Sequence, residues 1–513
     1  MGRSTVGTVR GTALSALALL LLGGSVCLGA PLSSKEFGAL KKKAKAALKS
    51  GDMSSLASAA AQIGADDSER AVDFLLGLAK VPDGSVYAAA RDALAKMDSS
   101  EAQEALRAKV SRSGSALAKL LVIDALGTRG DRWAGEVLGD AAANARKPEV
   151  QRAAIMAIKR KKLVSGVSGL IALLKKIQKK GEDDLNVNLL LETLRTITGE
   201  SYTEAADWEN FWEPRKNSFR RPTTGSVRTP GQTARRKRPT FFGSEIRSNR
   251  LVFVIDTSGS MEAADGGMGP TGPHGAGPTG GPGAGGAPPA PGAGSRVRIE
   301  RAKNQLMSVI DQLPAKCRFT IISYSGVLMM GPGGAPQQPP GTKPGGLLPP
   351  KIGNVEWRKT WKPKLMPATP KNKEDAKAFV RQLKATGGTF TLNALKAAFE
   401  IKGADTIVLL SDGMPNEYDF RKKKQLTPDE ILAEVATLNR VQRRVIDTFG
   451  FDEEAGRPHR GRPLPGGFGR GGGTGPGAPP AGFGGGAGGA AGGLGKFMQD
   501  LAEQNGGNYT QIK

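Results

Sequence analysis

Histidine and cysteine are nearly missing from this 513-residue chain, which contains two of each. His274 and His459 both fall in Gly/Pro-rich stretches. No Ser-His-Asp or Cys-His arrangement can therefore be assembled on the segments with core-forming patterns, and no HExxH or phosphate-loop motif occurs. Cys27 and Cys317 are too few for a disulfide scaffold. Cys317 heads the apolar run Cys317 to Tyr324 and reads as a buried packing thiol. Acidic residues are also scarce: 48 Asp and Glu stand against 73 Lys and Arg, a formal net charge of +25. No nucleic-acid motif accompanies that charge, so a specific nucleic-acid partner is not expected. A solvated basic surface and attachment to an anionic surface both stay open.

The N-terminus reads as an export signal over residues 1–30. Arg3 and Arg10 form its basic region, Ala13 to Leu22 its apolar core, and small residues precede Pro31. The apolar core falls short of the roughly 20 residues of a membrane span, so cleavage between Cys27 and Ala30 is expected ahead of a retained anchor. Gly24 and Val26 depart from the pattern that a lipid anchor on Cys27 would want. The expected location is outside the cytoplasm, periplasmic or extracellular and associated with the cell envelope.

Residues 35–215 are rich in Ala, Leu and Lys with helical periodicity. Equivalent apolar positions Leu94, Leu126, Ile158 and Leu194 recur at a period of thirty-odd residues. That period resembles HEAT-like repeats, an all-α array of stacked helix pairs, with a non-repetitive helical bundle as the other reading. Trp208, Phe211 and Trp212 would cover its end. Residues 216–249 hold Glu245 as their one acidic residue and read as a basic, disordered linker. Its run Arg235, Arg236, Lys237, Arg238 is the candidate contact for an anionic surface.

From residue 250 to 513 strand and helix patterns alternate, which argues an α/β domain with a doubly wound, mostly parallel sheet and helices on both faces. The most informative segment is LVFVIDTSGSM (Leu251 to Met261). Its apolar run reads as a buried parallel strand, and Asp256, Ser258 and Ser260 follow where the chain leaves the sheet at its carboxyl end. Ligands of open α/β sheets bind in that crevice. A carboxylate and two hydroxyls there form a hard, all-oxygen site suited to Mg²⁺, Ca²⁺ or Mn²⁺. Two further pieces follow: TGGTFTLNALKAAFE (Thr386 to Glu400), a Gly-Gly turn entering an amphipathic helix, and TIVLLSDGMPN (Thr406 to Asn416), a second buried strand ending in Ser411-Asp412-Gly413.

In this order the three pieces resemble the metal-ion-dependent adhesion site of the von Willebrand factor A family. The resemblance implies that Ser258, Ser260 and Thr389 ligate a divalent cation, most simply Mg²⁺ with Ca²⁺ and Mn²⁺ as alternatives. It implies that Asp256 and Asp412 hold the ion directly or through water. Two carboxylates and three hydroxyls would roughly neutralise the ion and leave one position for an Asp or Glu side chain of a protein partner.

Gly/Pro-rich inserts near 262–295, 331–350 and 453–493 interrupt the domain and read as disordered. If the strands before them are parallel, all three leave from the metal edge of the sheet and would form a collar around it. Glu417 and Asp419, just past Asp412, read as solvated loop residues and not as a catalytic base. The expectation is a metal-dependent binding protein, not an enzyme, with a second partner surface on the helices. The alternative is a charge-driven scaffold on an envelope or polysaccharide, with a merely structural metal.

Overall fold

The computed structural model describes residues 32–111, 114–181, 185–221, 238–264, 297–329, 353–356, 358–419, 424–451 and 493–512. The export signal, the basic run up to Lys237 and nearly all of the three inserts lie outside these residues. Among the described residues no helix is long and apolar enough to cross a membrane.

The N-terminal region is all helical: α1 (Ser34–Ser50), α2 (Met53–Gly64), α3 (Glu69–Gly77), α4 (Gly84–Ala95), α5 (Ser100–Ser111), α6 (Ala116–Leu126), α7 (Arg132–Asn144), α8 (Pro148–Lys161), α9 (Val167–Lys179), α10 (Leu185–Thr198) and α11 (Ala205–Trp212). Ala- and Leu-rich sequence favours helix, and side-chain caps set where the helices begin. Ser33 and Glu36 form a capping box on α1, while Asp52, Ser68, Asp83 and Asp131 accept backbone N–H groups at the starts of α2, α3, α4 and α7. Helices α2, α4, α6, α8 and α10 pack in succession as one layer, and α3, α5, α7, α9 and α11 as the other. Leu94, Leu126, Ile158 and Leu194 are fully buried, one on each of α4, α6, α8 and α10. Trp208 and Trp212 are buried on α11, which closes the stack against α9. Trp212 Nε1 donates to Ser168 Oγ at 2.7 Å.

The C-terminal region begins with β1 (Thr240–Phe241) and β2 (Ser244–Glu245), then β3 (Arg250–Asp256), α12 (Arg298–Gln312), β4 (Arg318–Tyr324), β5 (Gly326–Met329), β6 (Gly353–Glu356), β7 (Lys359–Thr360) and β8 (Met366–Pro367). It continues with α13 (Pro370–Arg381), α14 (Thr391–Glu400), β9 (Thr406–Ser411), β10 (Tyr418–Asp419), β11 (Lys424–Gln425), α15 (Pro428–Gln442), β12 (Val445–Phe451), α16 (Gly493–Gln504) and β13 (Tyr509–Ile512). The main sheet runs β13-β12-β9-β3-β4-β7, with β8 also on β4. Strands β13, β12, β9, β3 and β4 are mutually parallel, and β7 and β8 are antiparallel to β4. Helices α12 and α13 cover one face and α14, α15 and α16 the other, so β3 and β9 are buried on both sides and apolar almost throughout. Thr427 and Glu430 form the capping box that opens α15. Cys317 is free and buried, and burial pushes its thiol up to about 12, so it packs and does not react.

Part of the stretch 216–249 departs from expectation, while residues 222–237 lie outside the described residues. Residues 238–249 are ordered, not linker: β1 and β2 form a hairpin whose turn residues Phe242 (φ 44) and Gly243 (φ 79) take the positive φ of a two-residue loop. Phe241 is fully buried, its ring 4.8 Å from that of Phe449, and Ser244 Oγ is 2.7 Å from Thr510 Oγ1 on the edge strand β13. The basic composition concealed a Phe-Phe-Gly signal for this hairpin.

Beyond the hairpin, Arg247 helps to join the two regions. Its guanidinium reaches Glu192 of α10 at 2.9 Å and Asp447 of β12 at 2.6 Å, while its carbonyl accepts from Asn188. Arg443 pairs with Asp124 of α6 at 2.6 Å, where the Tyr87 hydroxyl also donates at 2.6 Å, and Arg152 of α8 donates to the Arg443 carbonyl at 2.8 Å. Arg440 lies over the Tyr87 ring of α4 at 4.7 Å and donates to the Val81 carbonyl. The even-numbered helix layer thus grips the amino ends of the strands.

The Arg443–Asp124 pair is half-buried, its side chains 17% and 19% exposed, so removing one member costs about 1–3 kcal/mol, between the values for exposed and buried pairs. Arg443→Ala should lower the unfolding free energy of the intact chain by that order; an unchanged denaturant midpoint would refute a closed junction in solution. Burial alone would raise the Glu192 carboxyl, but Arg247 and Lys159 outweigh it and hold it below its ordinary value. Its contribution is complete above the ordinary glutamate range and is lost as pH falls through the lowered value. Glu192→Gln should therefore flatten the acid limb of the stability profile, and superimposable limbs would contradict this assignment.

Candidate metal centre

Parallel pairing of β3 with β9 in the register Ile255↔Leu410 brings the carboxyl ends of the two strands side by side. Asp256 ends β3 and Asp412 follows β9 directly, so the sheet itself sets the two carboxylates next to each other. Ser411 Oγ donates to Asp256 Oδ2 at 2.5 Å across that step. Asp256 is fully buried; burial first, and then repulsion from Asp412, pushes its carboxyl up to about 7.

The turn after β3 folds back on its own aspartate. Ser258 N donates to Asp256 Oδ1 at 2.8 Å, Ser258 Oγ lies 3.1 Å from Ser260 Oγ, and Ser260 Oγ donates to Asp412 Oδ1 at 2.7 Å. Thr389 arrives from the loop before α14. That loop is sewn to its neighbours by backbone: Gly259 N to Gly387 O at 2.8 Å, Thr386 N to Thr257 O at 2.7 Å, and Asn416 N to Thr389 O at 3.0 Å. Gly387 has φ 74, a conformation that favours glycine. A Cβ on Gly413 would stand 2.8 Å from Thr389 Oγ1 and 3.6 Å from Ser260 Oγ, which puts both hydroxyls against the Asp412 turn. All five expected residues, Asp256, Ser258, Ser260, Thr389 and Asp412, therefore meet at the carboxyl edge. Of these, Ser260 alone is exposed, so the cluster opens to solvent on its side.

Four further residues belong to the site. Besides Ser411, the Tyr324 hydroxyl stands 3.4 Å from Asp256 Oδ2. Arg298, the first residue of α12, donates Nη1 to Asp412 Oδ2 at 3.0 Å; nothing in the sequence around it signals this contact. Glu417 corrects the sequence expectation: it is no solvated loop residue but 1% exposed, accepting from Asn393 N at 3.2 Å in the first turn of α14. Asp419 is half-buried in β10. Arg444 caps the far end of α14 through the carbonyls of Phe399 at 3.1 Å and Ile401 at 2.7 Å. The helix behind Thr389 is thus tied at both ends.

The donor set suits a divalent cation on chemical grounds. Every candidate ligand atom is oxygen, and two neighbouring carboxylates, one with its carboxyl raised, are the arrangement that a +2 charge relieves. Among the described residues there is no group of three or more His, Cys, Asp or Glu that could hold a metal. The ion would rest on two carboxylates completed by hydroxyls, a set hard enough for Mg²⁺ and wrong for Zn²⁺.

Residues 354–440 match the family model of the von Willebrand factor type A domain. The C-terminal region therefore carries a von Willebrand factor type A domain, and the matched span includes Thr389 and Asp412 but stops short of the β3 turn. The chain is also similar to a solved structure of a von Willebrand factor type A protein from Catenulispora acidiphila, at 17% identity and a TM-score of 0.27. That match covers 51% of this chain and 38% of the other, a likeness too slight to bear on the site. No curated protein matches the chain.

Gly413→Ala should displace Thr389, because 2.8 Å leaves no room for a methyl group. Divalent-metal affinity of the intact chain is expected to fall at least about tenfold with the thermal midpoint within a few degrees of wild type; unchanged affinity would remove Thr389 from the ligand set.

Proposed function

We propose that this protein is a divalent-metal-dependent adhesion or adaptor protein, and not an enzyme. A cation held by Asp256, Ser258, Ser260, Thr389 and Asp412 would accept an Asp or Glu side chain of a protein partner. Mg²⁺ is the proposed ion, with Ca²⁺ and Mn²⁺ as alternatives. The observation that carries this reading is the convergence of two buried carboxylates and three hydroxyls at one solvent-facing edge of the sheet. A metal-bound carboxylate is a charge-assisted contact in a partly dry crevice, strong enough to orient a partner without any proton transfer.

The stacked helices, read as HEAT-like repeats, would supply a second partner surface, with the export signal delivering the protein to the cell envelope. Their even-numbered layer is taken up by the C-terminal region, which leaves the odd-numbered layer for that role. The net charge of +25 supports a second reading, attachment to an anionic envelope or polysaccharide.

Calorimetric titration of Mg²⁺, Ca²⁺ and Mn²⁺ into the intact chain tests the site. Saturable binding is expected for wild type and not for Asp256→Ala or Thr389→Ala; equal binding by all three would overturn the assignment. The two readings of function separate by solution condition. Attachment through a metal-bound carboxylate vanishes with chelator, whereas attachment through charge falls steeply with salt and ignores chelator.

A further inference from the structure

We infer that Arg298 keeps the metal site short of negative charge, so that a bound cation stays electron-poor until an anionic partner completes it. The inference rests on the reading of this site as a divalent-metal centre. Asp412 has both oxygens engaged, Oδ1 by Ser260 Oγ at 2.7 Å and Oδ2 by Arg298 Nη1 at 3.0 Å. The Asp412 side chain is fully buried and that of Arg298 is 12% exposed, so the pair is poorly screened by water.

The guanidinium is also fixed in place. Arg298 N donates to the Ala263 carbonyl at 3.0 Å, which anchors the start of α12 to the turn after β3. Its Cζ lies 5.9 Å from the centre of the Phe451 ring, and Arg301 approaches the same ring at 5.4 Å. A charge held this way is part of the site and not a passing surface contact.

The consequence is one of charge count. Asp256 and Asp412 alone would bring a divalent ion to neutrality, and the ion would then have little left for a partner. Arg298 offsets one of the two carboxylates, so the loaded site is one unit more positive than it would be without it. The same guanidinium therefore weakens the ion's own binding and strengthens the attraction for an incoming carboxylate. Cation and acidic ligand should bind cooperatively, each raising the affinity for the other by the same factor.

The test is calorimetric titration of Mn²⁺ into the intact chain, as wild type, Arg298→Gln, Arg298→Lys and Asp256→Ala, with and without the peptide Gly-Glu-Gly and with Gly-Gln-Gly as control. Arg298→Gln is expected to bind Mn²⁺ roughly tenfold tighter than wild type or more. Arg298→Lys, which keeps the charge, should stay near wild type. Gly-Glu-Gly should tighten Mn²⁺ binding in wild type and less so in Arg298→Gln. If Arg298→Gln lacks the wild-type unfolding transition, Arg298→Met, which keeps the stem against Phe451, takes its place. Equal or weaker Mn²⁺ binding by the neutral variant, with wild-type binding intact and lost in Asp256→Ala, overturns the role of Arg298 and leaves the metal site standing. No binding by wild type but binding by Arg298→Gln supports the inference. No binding by either overturns both readings.

Discussion

Repulsion between two carboxylates is the constraint around which the C-terminal region is arranged. The pairing of β3 with β9 forces Asp256 and Asp412 together at the end of a sheet whose strands are apolar and covered on both faces. Left alone, that pair would open the sheet edge or take up a proton. The residues that surround it answer the repulsion: the Ser258 N–H and the Ser411 hydroxyl on Asp256, the Ser260 hydroxyl and the Arg298 guanidinium on Asp412. Each is a donor, and together they come from the turn after β3, the end of β9 and the start of α12, so neutralising the carboxylates draws three segments together.

Rigidity behind the site comes from residues other than the five candidate ligands. Helix α14 is held at its start by Glu417 and at its end by Arg444, whose burial among carbonyls lowers its guanidinium to about 10. The helical region closes on the opposite edge of the sheet, with Val445 at the start of β12 packed into the helical core. One edge is thus gripped by the partner region and the other left for a ligand. Strands β3 and β12, which precede the first and third Gly/Pro-rich inserts, end at the ligand edge, whereas β5, paired with β6 outside the main sheet, stands between β4 and the second.

Much of this was legible in the sequence because it depends on short-range pattern. The buried strands ending in Asp256 and Asp412, the Gly-Gly turn before Thr389, the Thr427 capping box and the periodic Leu94, Leu126, Ile158 and Leu194 are all local signals that the fold preserves. What stayed hidden depends on contacts between distant segments. Arg298 looks like any other arginine opening an amphipathic helix, and only the return of Asp412 gives it a role. Glu417 reads as loop until α14 is laid beside it. The hairpin at Thr240 to Glu245 and Arg247 sits in a basic run where composition suggested linker, yet Phe241 and Arg247 find partners in β12 and α10.

The closed junction has a consequence for how the helical region can change over time. Tyr87, Asp124, Arg152 and Asn188 lie on α4, α6, α8 and α10, one residue for each successive helix of a single layer, and between them they meet Arg440, Arg443 and Arg247 of the C-terminal region. Stacked arrays ordinarily lengthen and shorten by whole units with little penalty, since each unit sees only its neighbours. Here the sheet acts as a ruler laid along four of them. Insertion or deletion of one unit would slide every later contact out of step, so the length of this array is fixed by the domain it carries.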